Sequence, residues 1–324
     1  MDRTALDFLM ILTVTLNPAM DRLLFVNGFT FNVTNRITRR ENCVGGKGTH
    51  VSVNLACLGE PSIATGIAMG GTGRQIIESL EDGGVTCDFI LSEHGDSRTN
   101  YLLIDERSST LICEKGPEVS AEILDAFYER YDALTDQMDW VVISGDASNF
   151  TDSAGTSLQD KLLASAHEKG CRIALDSAGA SLKSGIKHSP FLIKPNAEEL
   201  SELTGMPTET DGQIVAAIQS LSGHDVEIIA VSMGSKGSIV KFGKELYRAG
   251  VADVKAVNTV GCGDAYLSGL VCAIKNGYAP ERALKFAAAC GAAEALNPLS
   301  VGLDKSKAEA LCENIKVERL ENLT

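Results

Sequence analysis

Basic residues are scarce in this chain: 29 lysines and arginines stand against 43 aspartates and glutamates, for a formal net charge of −14. Such a deficit argues against nonspecific binding to nucleic acid or to an anionic membrane, both of which need a basic surface. Aromatic residues are few as well, at 5% of 324 positions, while glycine reaches 31 and Ala, Val, Ile and Leu are frequent. That composition suits a sheet covered by helices better than an all-β sandwich. No long hydrophobic run is present. Phe8 to Leu16 is short, interrupted by threonines and without a basic leader, so it reads as a buried first strand rather than a signal peptide or membrane span. The nine cysteines (Cys43, Cys57, Cys87, Cys113, Cys171, Cys262, Cys272, Cys290 and Cys312) form no CxxC pair. They read as reduced core residues rather than a disulfide framework or zinc site, which points to the cytoplasm.

Two nucleotide signatures are also missing. Gly45-Gly46-Lys47-Gly48 is not a P-loop, because Lys47 is followed by glycine rather than Ser or Thr. Gly70-Gly71-Thr72-Gly73 is not a dinucleotide fingerprint, because position 76 is Ile. A nicotinamide enzyme is therefore poorly supported.

What the chain does have is an alternation of strand-like and helix-like segments without repeats or long linkers. Candidate strands are Leu9 to Leu16, Ile63 to Ala68, Trp140 to Ser144, Arg172 to Asp176, Phe191 to Ile193 and Glu227 to Ser232. Candidate helices are Thr49 to Leu58, Gly73 to Glu81, Thr156 to Lys169, Glu198 to Leu203, Asp264 to Asn276 and Pro280 to Leu296. This βαβ rhythm predicts an α/β doubly wound sheet. It breaks twice, at Leu23 to Val26 with Arg36 to Cys43 and at Arg98 to Asp105 with Thr110 to Glu114, where strands follow one another without a helix. Those pairs predict a small accessory sheet acting as a lid; an antiparallel edge of the main sheet is the alternative.

Four segments carry candidate chemistry. In Gly261-Cys262-Gly263-Asp264 two glycines and a carboxylate stand where a loop becomes a helix. Unpaired amides and the positive dipole end suit a phosphate there, and Asp264 would be placed to take a proton from an attacking hydroxyl; a capped glycine turn is the plainer alternative. Gly45 to Gly48 is a second glycine-rich loop before a helix, now with a cation. Asp21 follows the first strand at the ligand-binding end of an open sheet, where a turn residue is equally accommodated. Lys194-Pro195-Asn196-Ala197-Glu198-Glu199 fits a capping box, or else a lysine near nucleotide phosphates with Asn196 and Glu199 holding water around Mg2+. Ser232 to Gly237 is a further strand-ending glycine turn.

Taken in order, these motifs resemble the ribokinase-like (PfkB) carbohydrate kinases from about Leu12 to Leu296. The resemblance rests on TLNPAMDR at Thr15 to Arg22, GGKG at Gly45 to Gly48, RTN at Arg98 to Asn100, GP at Gly116-Pro117, LIKPNAEEL at Leu192 to Leu200 and NTVGCGDA at Asn258 to Ala265. It is strongest to the 1-phosphofructokinase and tagatose-6-phosphate kinase branch. It implies a three-layer α/β/α core with a mostly parallel sheet and a β-sheet lid that often builds a homodimer. The kinase domain would span residues 9–320, with lid strands at about 23–43 and 98–115 and a tail at 1–8. Asp264 would be the catalytic base, and the Gly261, Cys262 and Gly263 amides the anion hole. Asp21, Gly45, Gly46, Lys47 and Arg98 would face the sugar phosphate, with Arg36 a further candidate. Lys194, Asn196, Glu199, Ser232, Gly234 and Gly237 would face ATP and Mg2+.

The chain departs from that family's pattern twice. Cys262 replaces Ala, and His50 stands where a sugar-binding Asn is usual. Lys47 and Arg98 favour a dianionic sugar phosphate over a free sugar. The expected reaction is ATP-dependent phosphorylation of a ketohexose phosphate, fructose 1-phosphate to fructose 1,6-bisphosphate first. Tagatose-6-phosphate kinase is the nearest alternative, and a catalytically silent sugar-phosphate sensor the rival from another class.

Overall fold

The computed structural model describes residues 10–105, 109–145, 147, 150–152 and 155–320. The expected tail, residues 1–8, lies outside them. Among the described residues one large sheet holds ten strands. Seven run parallel, in spatial order Thr86–Ser92, Ser62–Met69, Ile11–Thr15, Trp140–Ser144, Arg172–Asp176, Leu192–Ile193 and Ile228–Ser232. Ser238–Phe242, Glu245–Ala249 and Val317–Leu320 then extend one edge in antiparallel pairing.

The central strands are almost wholly buried and mostly apolar because helices cover both their faces. Successive residues of Ile11–Thr15 serve opposite sides. Ile11 packs with Val51, Leu55, Trp140, Leu267 and Leu284. Leu12 and Val14 pack with Phe127, Tyr131, Leu162 and Ile214. Helix ends obey local rules: Lys47–Leu58 stops at left-handed Gly59, and Ala197–Thr204 begins at an Asn196/Glu199 capping box.

The lid is a separate four-stranded sheet, ordered Ile37–Gly45, Ala19–Val26, Arg98–Ile104, Ser109–Cys113. Its strands pair only with one another, the two central ones in parallel, so among the described residues it is not an edge of the main sheet. A third apolar cluster, with Met20, Leu23, Val44, Ile76, Leu80 and Leu102, fixes it to the core. The lid segments leave the core after Ile11–Thr15 and after the edge strand Thr86–Ser92, and their pairing brings Ala19, Gly45 and Arg98 into register. The mostly parallel core with a separate small sheet is the architecture that the resemblance implied.

Candidate active site

Gly261 caps the helix Cys262–Lys275 in the left-handed region, φ 81°. Only glycine serves there, since a Cβ would stand 2.1 Å from the Ser300 carbonyl oxygen. Ala265 is the first amide of the helix to bond back, to Gly261 at 2.9 Å. The amides before it are left to a ligand or water. Asp264, in this first turn, is buried. A methyl group on Gly263 would lie 3.4 Å from Lys194 Nζ, so an ammonium stands beside the amide turn. Two independent positive features meet at one helix start.

Asp21 is buried on the lid strand and accepts from Asn100 Nδ2 at 2.8 Å. Burial lifts its carboxyl above the usual range, against the pull of His50, Asn100 and Arg98. Gly45 makes room for it, because a Cβ there would stand 1.9 Å from Asp21 Oδ1. Lys47 Nζ donates to Asp176 Oδ1 at 3.0 Å and lies 3.8 Å from Glu199 Oε1. Burial disfavours its charge, but Asp176 and Glu199 outweigh that and push its pKa up. Arg98 holds the Asn17 carbonyl and Asn100 Oδ1.

Next to this group is a cavity of about 740 Å³ whose lining includes Asn17, Gly46, Lys47, Arg98, Lys115 and Ser144. Three cations border a space large enough for a phosphorylated hexose. A second cavity, about 370 Å³, is lined by Asn196, Ser232, Gly234 and Lys236 among others. Asn196 bridges to Ser232 between the strand ends, and left-handed Gly234 and Gly237 (φ 57° and 89°) turn the chain around it.

Of the residues expected at the sugar phosphate, Gly46, Lys47 and Arg98 line the larger cavity, Asp21 and Gly45 are not part of its lining, and His50 and Arg36 are placed elsewhere. His50 does not face the larger cavity. It is buried, with Nδ1 2.8 Å from Asp264 Oδ2 and Nε2 3.1 Å from the Val44 carbonyl oxygen, so both ring nitrogens are committed inside the protein. Arg36 stands beyond the far end of Ile37–Gly45, which puts it about 30 Å along an extended strand from Gly45 and away from the cluster of its own chain.

Asp176 and Glu294 are the residues that sequence reasoning missed. Asp176, fully buried at its strand end, lies between Lys47 and Lys194. Burial opposes its ionisation, but Lys194 and Lys47 hold the carboxyl below its usual range. Its place after Ile173-Ala174-Leu175, at the ligand-binding end of a strand, was the available signal. Glu294, fully buried in Pro280–Ala295, is pushed up to about 7 by burial, against the pull of His50. Nothing in its alanine-rich surroundings marks it. The Cys262 thiol, raised to about 12 chiefly by burial, is no nucleophile.

The family model for pfkB family carbohydrate kinases matches residues 12–301. A tagatose-6-phosphate kinase of Staphylococcus epidermidis is 30% identical over 311 residues, covering 95% of this chain and 99% of the relative. A 1-phosphofructokinase of Borreliella burgdorferi is 31% identical over 288 residues, covering 89% and 92%. Among solved structures, a Thermotoga maritima protein described as a possible 1-phosphofructokinase superposes with a TM-score of 0.85 at 28% identity, covering 96% of this chain and all of that one. With the glycine turn, the lid and the two cavities in their places, the chain belongs to the pfkB family of carbohydrate kinases.

Proposed function

We propose that the protein transfers the γ-phosphoryl group of ATP to a ketohexose phosphate, with fructose 1-phosphate the first choice and fructose 1,6-bisphosphate the product. The observation that carries this reading is the convergence of Asp264, the Gly261 to Gly263 turn and Lys194 at one helix start, beside a cavity bordered by Lys47, Arg98 and Lys115. A free sugar has no use for three cations. A sugar phosphate does.

In this reading Asp21 accepts hydrogen bonds from sugar hydroxyls, while Lys47, Arg98 and the Gly45-Gly46 backbone hold the phosphate end. Asp264 takes the proton of the attacking hydroxyl as its oxygen bonds to the γ-phosphorus. The bond from that phosphorus to the bridging oxygen breaks, and ADP carries away the electron pair. The Gly261, Cys262 and Gly263 amides and Lys194 stabilise the charge on the transferred group. Ser232, Gly234 and Gly237 border the nucleotide.

Pairing of Glu199 Oε2 with the Asn196 amide leaves Oε1 directed toward Lys47. One or two hard oxygens suit Mg2+, which keeps most of its water, so Asn196 and Glu199 are the residues that would hold its hydration shell. When bound, the ion supplies neutralisation of the β- and γ-phosphate charge.

The tagatose 6-phosphate reading is favoured by the 30% identity to a kinase of that name across 95% of the chain. The test is ADP release across fructose 1-phosphate, fructose 6-phosphate, tagatose 6-phosphate and free hexoses. Activity confined to free hexoses would overturn the reading, and no ADP release with any acceptor would leave a sugar-phosphate sensor. We also propose a homodimer through the lid, supported by exposed Phe31, Val33, Ile37, Leu111 and Ile112 on its strands and loops; sedimentation of a monomer at micromolar concentration would refute it. No described helix is long and apolar enough to cross a membrane, and the nine thiols are free, which supports a cytoplasmic setting.

A further inference from the structure

The His50 ring is held between two acceptors. The Val44 carbonyl oxygen, 3.1 Å from Nε2, can only accept, so Nε2 carries a proton. A neutral ring would then turn a bare lone pair toward Asp264 Oδ2, 2.8 Å from Nδ1, and two acceptors at that distance repel. A proton therefore lies on the line from His50 to Asp264. Two further carboxyls surround the same ring: Asp21 Oδ2 is 3.8 Å from Nε2, and Glu294 acts on it from the neighbouring helix. Three acids around one buried imidazole favour the charged ring.

We propose that His50 is a positioning residue for Asp264: held as an imidazolium between Asp264 and the Val44 carbonyl, it fixes Oδ2 and leaves Oδ1 for the acceptor hydroxyl. The inference rests on Asp264 being the base and adds how that base is held. Packing agrees with it. A Cβ on Gly261 would stand 3.6 Å from His50 Nδ1, so the ring lies directly beneath the anion-binding turn and fixes the carboxylate relative to it.

Burial works against a charged ring, but the hydrogen bond and attraction to Asp264, then Asp21 and Glu294, lift its pKa above the usual imidazole value. The titratable groups around the ring are Asp21 from the lid, Asp264 and Cys262 from the Cys262–Lys275 helix, Glu294 from Pro280–Ala295 and Cys43 beside Val44. Lys47, on His50's own helix, acts through Asp264. Both thiols are pushed up to about 12 by burial and stay neutral across the working range.

Two measurements on the full chain test this. Nitrogen-15 NMR of the labelled protein, with only five histidines to assign, should show His50 as imidazolium at pH 7.5. In Asp264→Asn the ring should lose its proton about one pH unit or more lower. A neutral ring at pH 7 in the wild type would overturn the proposal, whatever the kinetics. His50→Asn keeps an N–H donor without the charge. It should lower kcat by about tenfold at pH 7.5, leave the sugar-phosphate KM within about threefold and move the acid limb of kcat to higher pH. An unchanged pH profile, or a loss confined to KM, would make His50 a packing or sugar-contacting residue instead. Full turnover by Asp264→Asn would remove the base reading and the positioning role, while the NMR titration would still report the ion pair.

Discussion

Lys47 and Lys194, from separate halves of the chain, are tied to opposite oxygens of one buried carboxylate. Lys47 donates to Asp176 Oδ1 at 3.0 Å, and Lys194 Nζ lies 3.1 Å from Oδ2. Lys47 lines the larger cavity and Lys194 flanks the Gly261 to Gly263 turn, so Asp176 spaces the two cations between which, in the proposed reaction, a phosphoryl group would move.

Asp176→Asn removes that spacer. Lys194 is only 6% exposed and would be left uncompensated, whereas Lys47, at 38%, can swing into water. Urea unfolding should show a loss of about 3 kcal/mol, with KM rising for both substrates. A change in only one KM would show that the lysines act separately.

Asp264→Asn keeps the shape of the side chain and removes the base. Turnover should fall by about a hundredfold or more while calorimetry shows sugar-phosphate binding nearly intact. Retention of most of the rate would dismiss Asp264 as the base.

Gly45→Ala drives a methyl group into Asp21, whose Oδ1 would be 1.9 Å away. Steady-state kinetics should show the sugar-phosphate KM raised by about tenfold or more, with the ATP KM nearly unchanged. Equal effects on both substrates would mean that the loop serves the whole site.

Glu294 has one side-chain oxygen without a hydrogen-bond partner, and burial raises its carboxyl from 4.5 to about 7. The folded protein therefore holds this proton more tightly than the unfolded chain. Its contribution to stability is complete below pH 4.5 and is lost as pH rises through about 7. Glu294→Gln should be more stable than wild type by roughly 3 kcal/mol at pH 8 and nearly equal to it at pH 4, as read by urea unfolding. A variant less stable at pH 8 would contradict this.

The parts legible in the sequence were those with a local cause. Trp140–Ser144 and Arg172–Asp176 have the expected bounds because continuous apolar runs between polar ends have few alternatives. The lid strands were legible because no helix separated them. The antiparallel edge was not, since half-exposed strands such as Glu245–Ala249 and Val317–Leu320 show no clean alternation. At the site, Gly45, Gly261 and Asp264 carry their signal in their neighbours. Asp176 offered only its place at a strand end, while Glu294 and the partners of His50 depend on contacts between distant segments that local spacing does not encode.

The lid is held to the core at the half nearer the site, where Met20, Leu23, Val44 and Leu102 pack with Ile76 and Leu80, while Phe31 at its far end is not part of that cluster. Three residues separate Thr15 from Ala19, and Gly46 alone separates the strand ending at Gly45 from the helix that begins at Lys47. Were it to rotate about those short connections, Asp21, Gly45 and Arg98 would lie near the fulcrum and exposed Phe31 at the tip. A rotation that sweeps the tip through several ångströms displaces the groups at the fulcrum by far less. Tip substitutions would therefore register in opening and closing rates, and fulcrum substitutions in what the site recognises.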